Sequence, residues 1–361
     1  MVPPVRPQVA EAVRQRLAAL ATHRAVAGLQ YVVGRRGGVW LEQCLGHADA
    51  LGGRPVTPHT TFNAYSITKP LTAAAVVALH EAGRLDLDVP IGDAAQAAGL
   101  QAYGSVREAL LHRAGFRNPN PLRWIHAAEQ HDRFDEAGFV QARIAELQGT
   151  RRRLARSGYS NLGYLALGLA VEHAGGDFFV HAVQRCVLQP LQLEADQRLG
   201  FAIDDPTQHA YGHLRRHGLL DRVLGLLVDR PAIVDAADRR WLRLRLHQVN
   251  GSAYGGLIAN ARGLARFGLA VLDAAEGTAG AVRERLLAMV PGPGPARSLG
   301  WWAGQLGPQR WLAHAGGGLG GYGELRLYPD LGAVSVLLTN GAGLRDVRCL
   351  DSIDGCWIGG G

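Results

Sequence analysis

Lysine is nearly absent from this chain. Its 361 residues include 38 lysines and arginines, and only Lys69 is a lysine. Arginine stays protonated at any working pH, whereas a desolvated ammonium can lose its proton. Arginine therefore serves wherever a plain positive charge is enough, and the one retained lysine is a candidate for chemistry that needs a removable proton. Cysteine is scarce as well. The four cysteines (Cys44, Cys186, Cys349, Cys356) show no C-x-x-C spacing, which argues against a metal site or a disulfide framework. Cys349 and Cys356 could pair, but nothing in the sequence demands it. No metal and no organic cofactor are expected. No apolar run is long enough to span a bilayer, and the opening stretch MVPPVRPQVAEAVRQRLAALATHRA has no apolar signal segment. The expectation is a cytoplasmic protein with no membrane partner.

Charge of one sign is in excess, at +7 with a pI near 9.6. That balance raises the question of a polyanion partner. The arginines are nevertheless scattered. The densest groups, Arg151–Arg153 with Arg156 and Arg239, Arg240, Arg243 and Arg245, have no interleaved aromatic platform of the single-strand-binding kind. They read as a solvated face, and no nucleic-acid partner is expected. Hydrophobic content of 47% and charged content of 19% suit one large or two interleaved globular domains. Nothing in the composition speaks to oligomeric state.

Lys69 stands in the stretch FNAYSITKPLTAAA, residues 62–75, three residues after Ser66. Residues three apart share a helix face, so the serine hydroxyl and the amine can meet. The run TAAAVVALHEAG is rich in helix formers and closes on glycine, and Pro70 is tolerable in a first turn. Ser66 would then sit at a helix N-terminus, where free N–H groups favour developing negative charge. The pattern is that of an activated serine with an adjacent amine base. A helix start carrying an incidental lysine is the bland alternative.

Elsewhere the periodicity predicts a helix over 7–23, a hairpin from 28–33 and 39–45, a helix over 105–112, a polar helix over 124–148, an apolar helix over 162–174 and another over 178–187. Residues 85–91 read as extended. The region 200–250 mixes loop, the apolar run 219–228 and an arginine-rich helix near Trp241. A helix is expected over 257–272, then strands at 311–315, 324–327 and 333–339, and a last helix from about Leu344. This order implies an α+β fold: an antiparallel sheet split between the two ends of the chain (1–65 and 250–361), with a helical segment (66–249) inserted and the site between them.

Two further motifs carry polar groups. RSGYSN, residues 156–161, offers Tyr159, a phenol able to relay protons, and Asn161, a carboxamide able to bind a substrate amide and orient the lysine. Taken alone it reads first as a helix N-cap, Ser160 or Asn161 capping the helix from Leu162. HAGGGLGG, residues 314–321, follows a strand. Its glycines admit a close backbone approach, a main-chain N–H there can complete an oxyanion hole with that of Ser66, and His314 would face the site; a glycine-rich hairpin with an incidental histidine is the equal alternative.

Ser66-Ile67-Thr68-Lys69, Tyr159-Ser160-Asn161 and His314-Ala315-Gly316, in this order, resemble the motifs of the SxxK serine hydrolases, the superfamily of class C β-lactamases, DD-peptidases and related esterases. RPVTPHTTFNAYSITK, VREALLHRAGF, GSAYGGLIANARGLARF and HAGGGLGGYGELRLYPD extend the likeness over most of residues 25–340. The resemblance implies a β-lactamase/DD-peptidase-like fold, an antiparallel sheet flanked by terminal helices with an all-helical insert. It implies Ser66 as acylated nucleophile, Lys69 and Tyr159 as general base and acid, Asn161 and His314 as substrate-binding groups, and Gly316 and Gly317 as the strand that supplies the second oxyanion N–H. The third motif departs from the Lys-Thr-Gly of true β-lactamases, and many esterase-like relatives have histidine there. The expected activity is hydrolysis of a small ester or amide, with weak or no β-lactamase action. Acyl transfer from the same intermediate, DD-peptidase action and a catalytically silent scaffold are the alternatives. The acyl pocket is expected between the 200–250 region and aromatics such as Trp301, Trp302 and Tyr322.

Overall fold

A computed structural model of the chain describes residues 4–24, 26–118, 124–149, 158–219, 221–222, 229–273, 277–292, 295–341 and 347–359. Helix α1 (Pro7–His23) leads into a hairpin of β1 (Gly28–Arg35) and β2 (Gly38–Asp49), followed by the short β3 (Arg54–Pro55). The other half of the sheet comes from the far end of the chain: β4 (Arg297–Ser298), β5 (Trp301–Leu306), β6 (Gln309–Gly318), β7 (Gly321–Tyr328) and β8 (Ala333–Thr339). The eight strands run in the order β4-β5-β6-β7-β8-β1-β2-β3. The two halves join where β1 pairs antiparallel with β8, Leu29 opposite Thr339 and Arg35 opposite Ala333.

Alternation along these central strands builds two cores, because successive side chains leave a strand on opposite faces. Leu29, Tyr31 and Val33 join Val13 and Leu17 of α1 and Ile353 and Trp357 of the last helix. Val32, Val334, Val336 and Leu338 face the other way, into the larger core. There α7 (Ala261–Asp273) lies across the sheet. Its Gly268 permits that approach, since a Cβ there would stand 2.9 Å from the Leu327 and Val334 side chains. The last helix, α8 (Asp351–Ile358), is docked by a buried carboxylate. Asp354 accepts hydrogen bonds from Tyr31 and Tyr328 (both 2.6 Å) and from Ser335 (2.7 Å).

Residues 66–249 carry most of the other helices: α2 (Thr68–Glu81), α3 (Val106–Leu110), α4 (Glu136–Gly149) and α5 (Asn161–Gly175). The single turn α6 (Ser252–Gly255) packs on α2 and α5. Helix α2 is buried nearly all round, from Thr68 to Val77 and again at Leu79, which explains its run of alanines. A helix enclosed by its neighbours needs small apolar residues on every face.

The segment departs from the expected helices in several places. A small sheet pairs Ile125–Ala127 with His247–Val249. The helix expected over 124–148 is therefore a strand, a 3-10 turn over Ala128–Arg133 and then α4. The arginine-rich stretch near Trp241 is no helix. Trp241–Leu244 is the middle strand of a three-stranded sheet with His213–Arg215 and Val234–Ala237. Its tryptophan and leucines bury while Arg243 reaches outward to Asp235 and Asp49. Residues 85–91 form no strand beyond an isolated bridge of Pro90 to Ser105. A helix over Gly277–Leu287 and the strands β4 and β5 were not expected. The runs 219–228 and 151–156 fall largely outside the described residues, as does a helix start near Leu344. None of the four cysteines forms a disulfide. Among the described residues no helix is long and apolar enough to cross a membrane, and no cluster of metal-ligating side chains occurs.

Candidate active site

Ser66 lies in a single 3-10 turn, Tyr65–Ile67, that runs directly into α2. Tyr65 adopts a left-handed backbone, φ +47°, a conformation uncommon outside glycine. Its hydroxyl donates to the Leu319 carbonyl at 2.8 Å, so the residue before Ser66 is held to the loop between β6 and β7. Strand β6 presses on the same turn. A Cβ at Gly316 would collide with the Ala64 carbonyl and come within 2.9 Å of the Ser66 nitrogen. A Cβ at Gly318 would run into the Tyr65 ring, whereas Gly317 is open apart from Tyr322 at 3.8 Å.

Three expected residues converge on the Ser66 hydroxyl and its amine neighbour. Lys69 Nζ is 3.0 Å from Ser66 Oγ, 3.0 Å from Asn161 Oδ1 and 3.0 Å from the Tyr254 carbonyl. Tyr159 donates to Ser66 Oγ at 2.6 Å. This arrangement satisfies two protonation states of Lys69. A neutral amine donates to Asn161 and Tyr254 and accepts the serine proton; an ammonium donates to all three.

Lys69 is fully buried, and the Tyr159, Tyr254 and Tyr164 rings stand 4.7, 5.3 and 5.4 Å from Nζ. Their π faces favour the cation modestly, but no carboxylate pairs with it among the described residues. Desolvation dominates and holds the Lys69 pKa well below that of a free lysine. The same crowding raises the Tyr159 pKa, so the phenol stays protonated.

His314 of β6 is 1% exposed, with its ring 6.2 Å from that of Tyr159. Its Nδ1 is 2.8 Å from the Gly300 carbonyl, which can only accept, so Nδ1 carries the proton and Nε2 is left as an acceptor. Burial, with Lys69 nearby, pushes its pKa down to about 3. It is a neutral imidazole at any working pH.

A cavity of about 120 Å³ opens beside Ser66, walled by Trp124, Ile125, Val249, Tyr254 and Leu319. Of the aromatics expected there, Trp301 is in the core, stacked on Phe267 at 6.5 Å, and Tyr322 is buried with its hydroxyl on Glu324. Trp302 stands behind Tyr159, 6.5 Å between rings. The region 200–250 contributes Val249. Trp124 was not foreseen; no local pattern marks a lone tryptophan at the foot of a three-residue strand.

A serine, a buried amine and a phenol thus stand in contact at the start of a buried helix, beside a glycine-rich strand of a split antiparallel sheet. Residues 9–353 match the family described as Beta-lactamase. The chain belongs to the beta-lactamase family. The esterase EstB of Burkholderia gladioli is 29% identical over 204 residues, 52% of this chain and 50% of that protein, so the match spans only half the length of that relative. Among solved structures, SurE superposes with a TM-score of 0.68 at 25% identity, covering 97% of this chain and 76% of that one. A beta-lactamase from Sulfitobacter sp. EE-36 superposes with a TM-score of 0.73 at 17% identity, covering 98% and 97%. The α+β beta-lactamase fold is thus shared over nearly the whole chain.

Proposed function

We propose that this beta-lactamase-family protein is a serine hydrolase that forms an acyl-enzyme on Ser66 and releases it to water, acting on a small ester or amide. The observation that carries this reading is the double contact of Ser66 Oγ, 3.0 Å from the Lys69 amine and 2.6 Å from the Tyr159 hydroxyl. In acylation Lys69, whose burial favours the neutral amine, takes the serine proton as Oγ attacks the substrate carbonyl. The oxyanion forms between the main-chain N–H groups of Ser66 and Gly317. The proton returns through Tyr159 to the leaving group, and the same groups run in reverse to activate water. Asn161 orients the amine and meets the substrate.

The third-motif histidine supports an uncharged acyl donor. A neutral His314 with an acceptor at Nε2 offers nothing to a substrate carboxylate, whereas a lysine there would. The apolar cavity of about 120 Å³ points the same way; a dry cavity of roughly 150 Å³ holds a benzene ring, so the acyl group is of that order. The relative named as an esterase is in keeping with this substrate class.

Intact mass spectrometry after exposure to a fluorophosphonate and to activated esters tests the proposal. One adduct on wild type, absent in Ser66→Ala, is expected. An adduct that persists in Ser66→Ala, or ester turnover unchanged by that substitution, overturns it.

A further inference from the structure

The phenol of Tyr159 has to be held for the chemistry above, and the segment that carries it is a loop. The brace comes from a residue distant in sequence. His112, at the end of α3, is 5% exposed. Its carbonyl accepts from the Gly158 N–H at 3.1 Å, and its Nδ1 accepts from the Ser160 N–H at 3.1 Å. These are the two amides either side of Tyr159. Its ring lies 4.6 Å from the Tyr159 ring, and it also contacts Tyr164 at 5.1 Å and Trp302 at 6.1 Å.

Two features set this imidazole apart from an ordinary core histidine. His112 has φ +56°, a left-handed conformation that costs a non-glycine residue energy and that persists only when its surroundings impose it. That backbone turn directs both the carbonyl and the ring toward 158–160. Its tautomer is also determined. An amide N–H can only donate, so Nδ1 must be unprotonated and Nε2 carries the hydrogen. The imidazole is therefore neutral and used as an acceptor, with Lys69, His314 and Arg297 as its charged or titratable neighbours.

We propose that His112 is a positioning residue for the reaction at Ser66: it grips the chain on both sides of Tyr159 and backs its ring, so that the phenol stays within hydrogen-bond reach of Oγ. The inference rests on the acyl-enzyme reading above. It assigns His112 no contact with substrate. Its effect passes through Tyr159 alone, and this separates it from a merely structural histidine.

Carboxamide substitutions distinguish the two ring nitrogens. In His112→Asn the side-chain oxygen falls near the place of Nδ1, and asparagine tolerates the left-handed backbone. In His112→Gln the carboxamide lies one methylene further out and leaves the Ser160 N–H without its acceptor. Misplacement of a catalytic group by about 1 Å costs on the order of a hundredfold. Acylation by an activated ester in His112→Gln is therefore expected to slow about 10- to 100-fold with KM little changed, while His112→Asn stays within about fivefold of wild type. In a Tyr159→Phe background the His112→Gln loss should shrink below about threefold, because a residue acting through the phenol has nothing left to position. A His112→Gln enzyme as fast as wild type, a loss of equal size in the Tyr159→Phe background, or a His112→Asn enzyme as slow as His112→Gln overturns the proposal. A wild-type protein with no Ser66 adduct overturns the acyl-enzyme reading with it, so the two failures are told apart by the wild-type control. Thermal melts of each variant show whether a loss of rate tracks a loss of fold.

Discussion

Replacing Lys69 by methionine removes the amine and leaves its apolar stem in place. In the native site Nζ meets three oxygens at 3.0 Å: Ser66 Oγ, Asn161 Oδ1 and the Tyr254 carbonyl. Ser66 keeps a partner in Lys69→Met, since Tyr159 still donates to it. Asn161 and Tyr254 do not, and each buried acceptor left unpaired costs about 1–3 kcal/mol. The methionine offsets much of that, because the native fold no longer carries a desolvated amine. The net change in stability should lie within about 2 kcal/mol. The rate behaves differently. Loss of a positioned general base costs about 10²–10⁴-fold, or roughly 3–5 kcal/mol of transition-state stabilisation. Lys69→Arg should be as slow, because a guanidinium cannot give up its proton. The assay is single-turnover acylation by an activated ester, followed by intact mass, beside denaturant unfolding of each variant. A folded Lys69→Met or Lys69→Arg protein that acylates within about threefold of wild type would refute the amine's part in proton transfer.

Further outcomes follow from the same geometry. Acylation should rise with pH through the lowered pKa of Lys69, and this ascending limb should vanish in Lys69→Met. Because the folded-state pKa lies below the unfolded value near 10.5, the unfolded chain binds the extra proton, so this group's share of stability is complete above that value and is lost as pH falls toward the folded pKa; urea midpoints of wild type and Lys69→Met across pH 7–11 would show the difference. A carboxylate-bearing β-lactam should acylate Ser66 more slowly than a neutral ester of equal reactivity, since His314 is neutral and its one ring proton is engaged by the Gly300 carbonyl; equal rates would contradict that account. Asp354→Ala leaves the hydroxyls of Tyr31, Tyr328 and Ser335 without their shared acceptor and should cost about 3–5 kcal/mol in denaturant unfolding, with less than about 1 kcal/mol showing that α8 is docked by other means.

The parts of the fold legible in the sequence are those where one strong local pattern coincides with the tertiary demand. The hairpin of β1 and β2 shows its apolar runs around Arg35–Gly38, and α1 shows Val9, Val13 and Leu17 on one stripe, all buried. The proximity of Lys69 to Ser66 was legible because residues three apart share a helix face, whereas Tyr159 and Asn161 join them only through the order of the three motifs. Arginine misled the reading near Trp241. The arginine-rich run reads as helix, while the alternation of Arg243 between Leu242 and Leu244, which places the charge on one face and the leucines on the other, records the strand. His112 was hidden for another reason. Its role depends on a backbone angle of +56° and on partners 46 and 48 positions away, Gly158 and Ser160, and neither leaves a trace in the residues around it. The walls of the cavity were missed on the same grounds, since Trp124 and Val249 meet only through a small sheet between distant segments.

The solitary lysine has an experimental consequence. With Lys69 fully buried, the folded chain presents no lysine side chain to solvent, and its 37 arginines do not react with amine-directed acylating agents under mild conditions. In a Ser66→Ala background, where the serine itself can no longer be acylated, and apart from the α-amine, a lysine label taken up in solution reports the moment at which the interior around Lys69 opens. The protein thus carries its own single-site chemical clock. The labelling rate of Lys69, read as one mass increment in that background, measures how often the candidate site becomes exposed, and a ligand lodged in the cavity beside it should slow that count before any change in the global melting temperature can be seen.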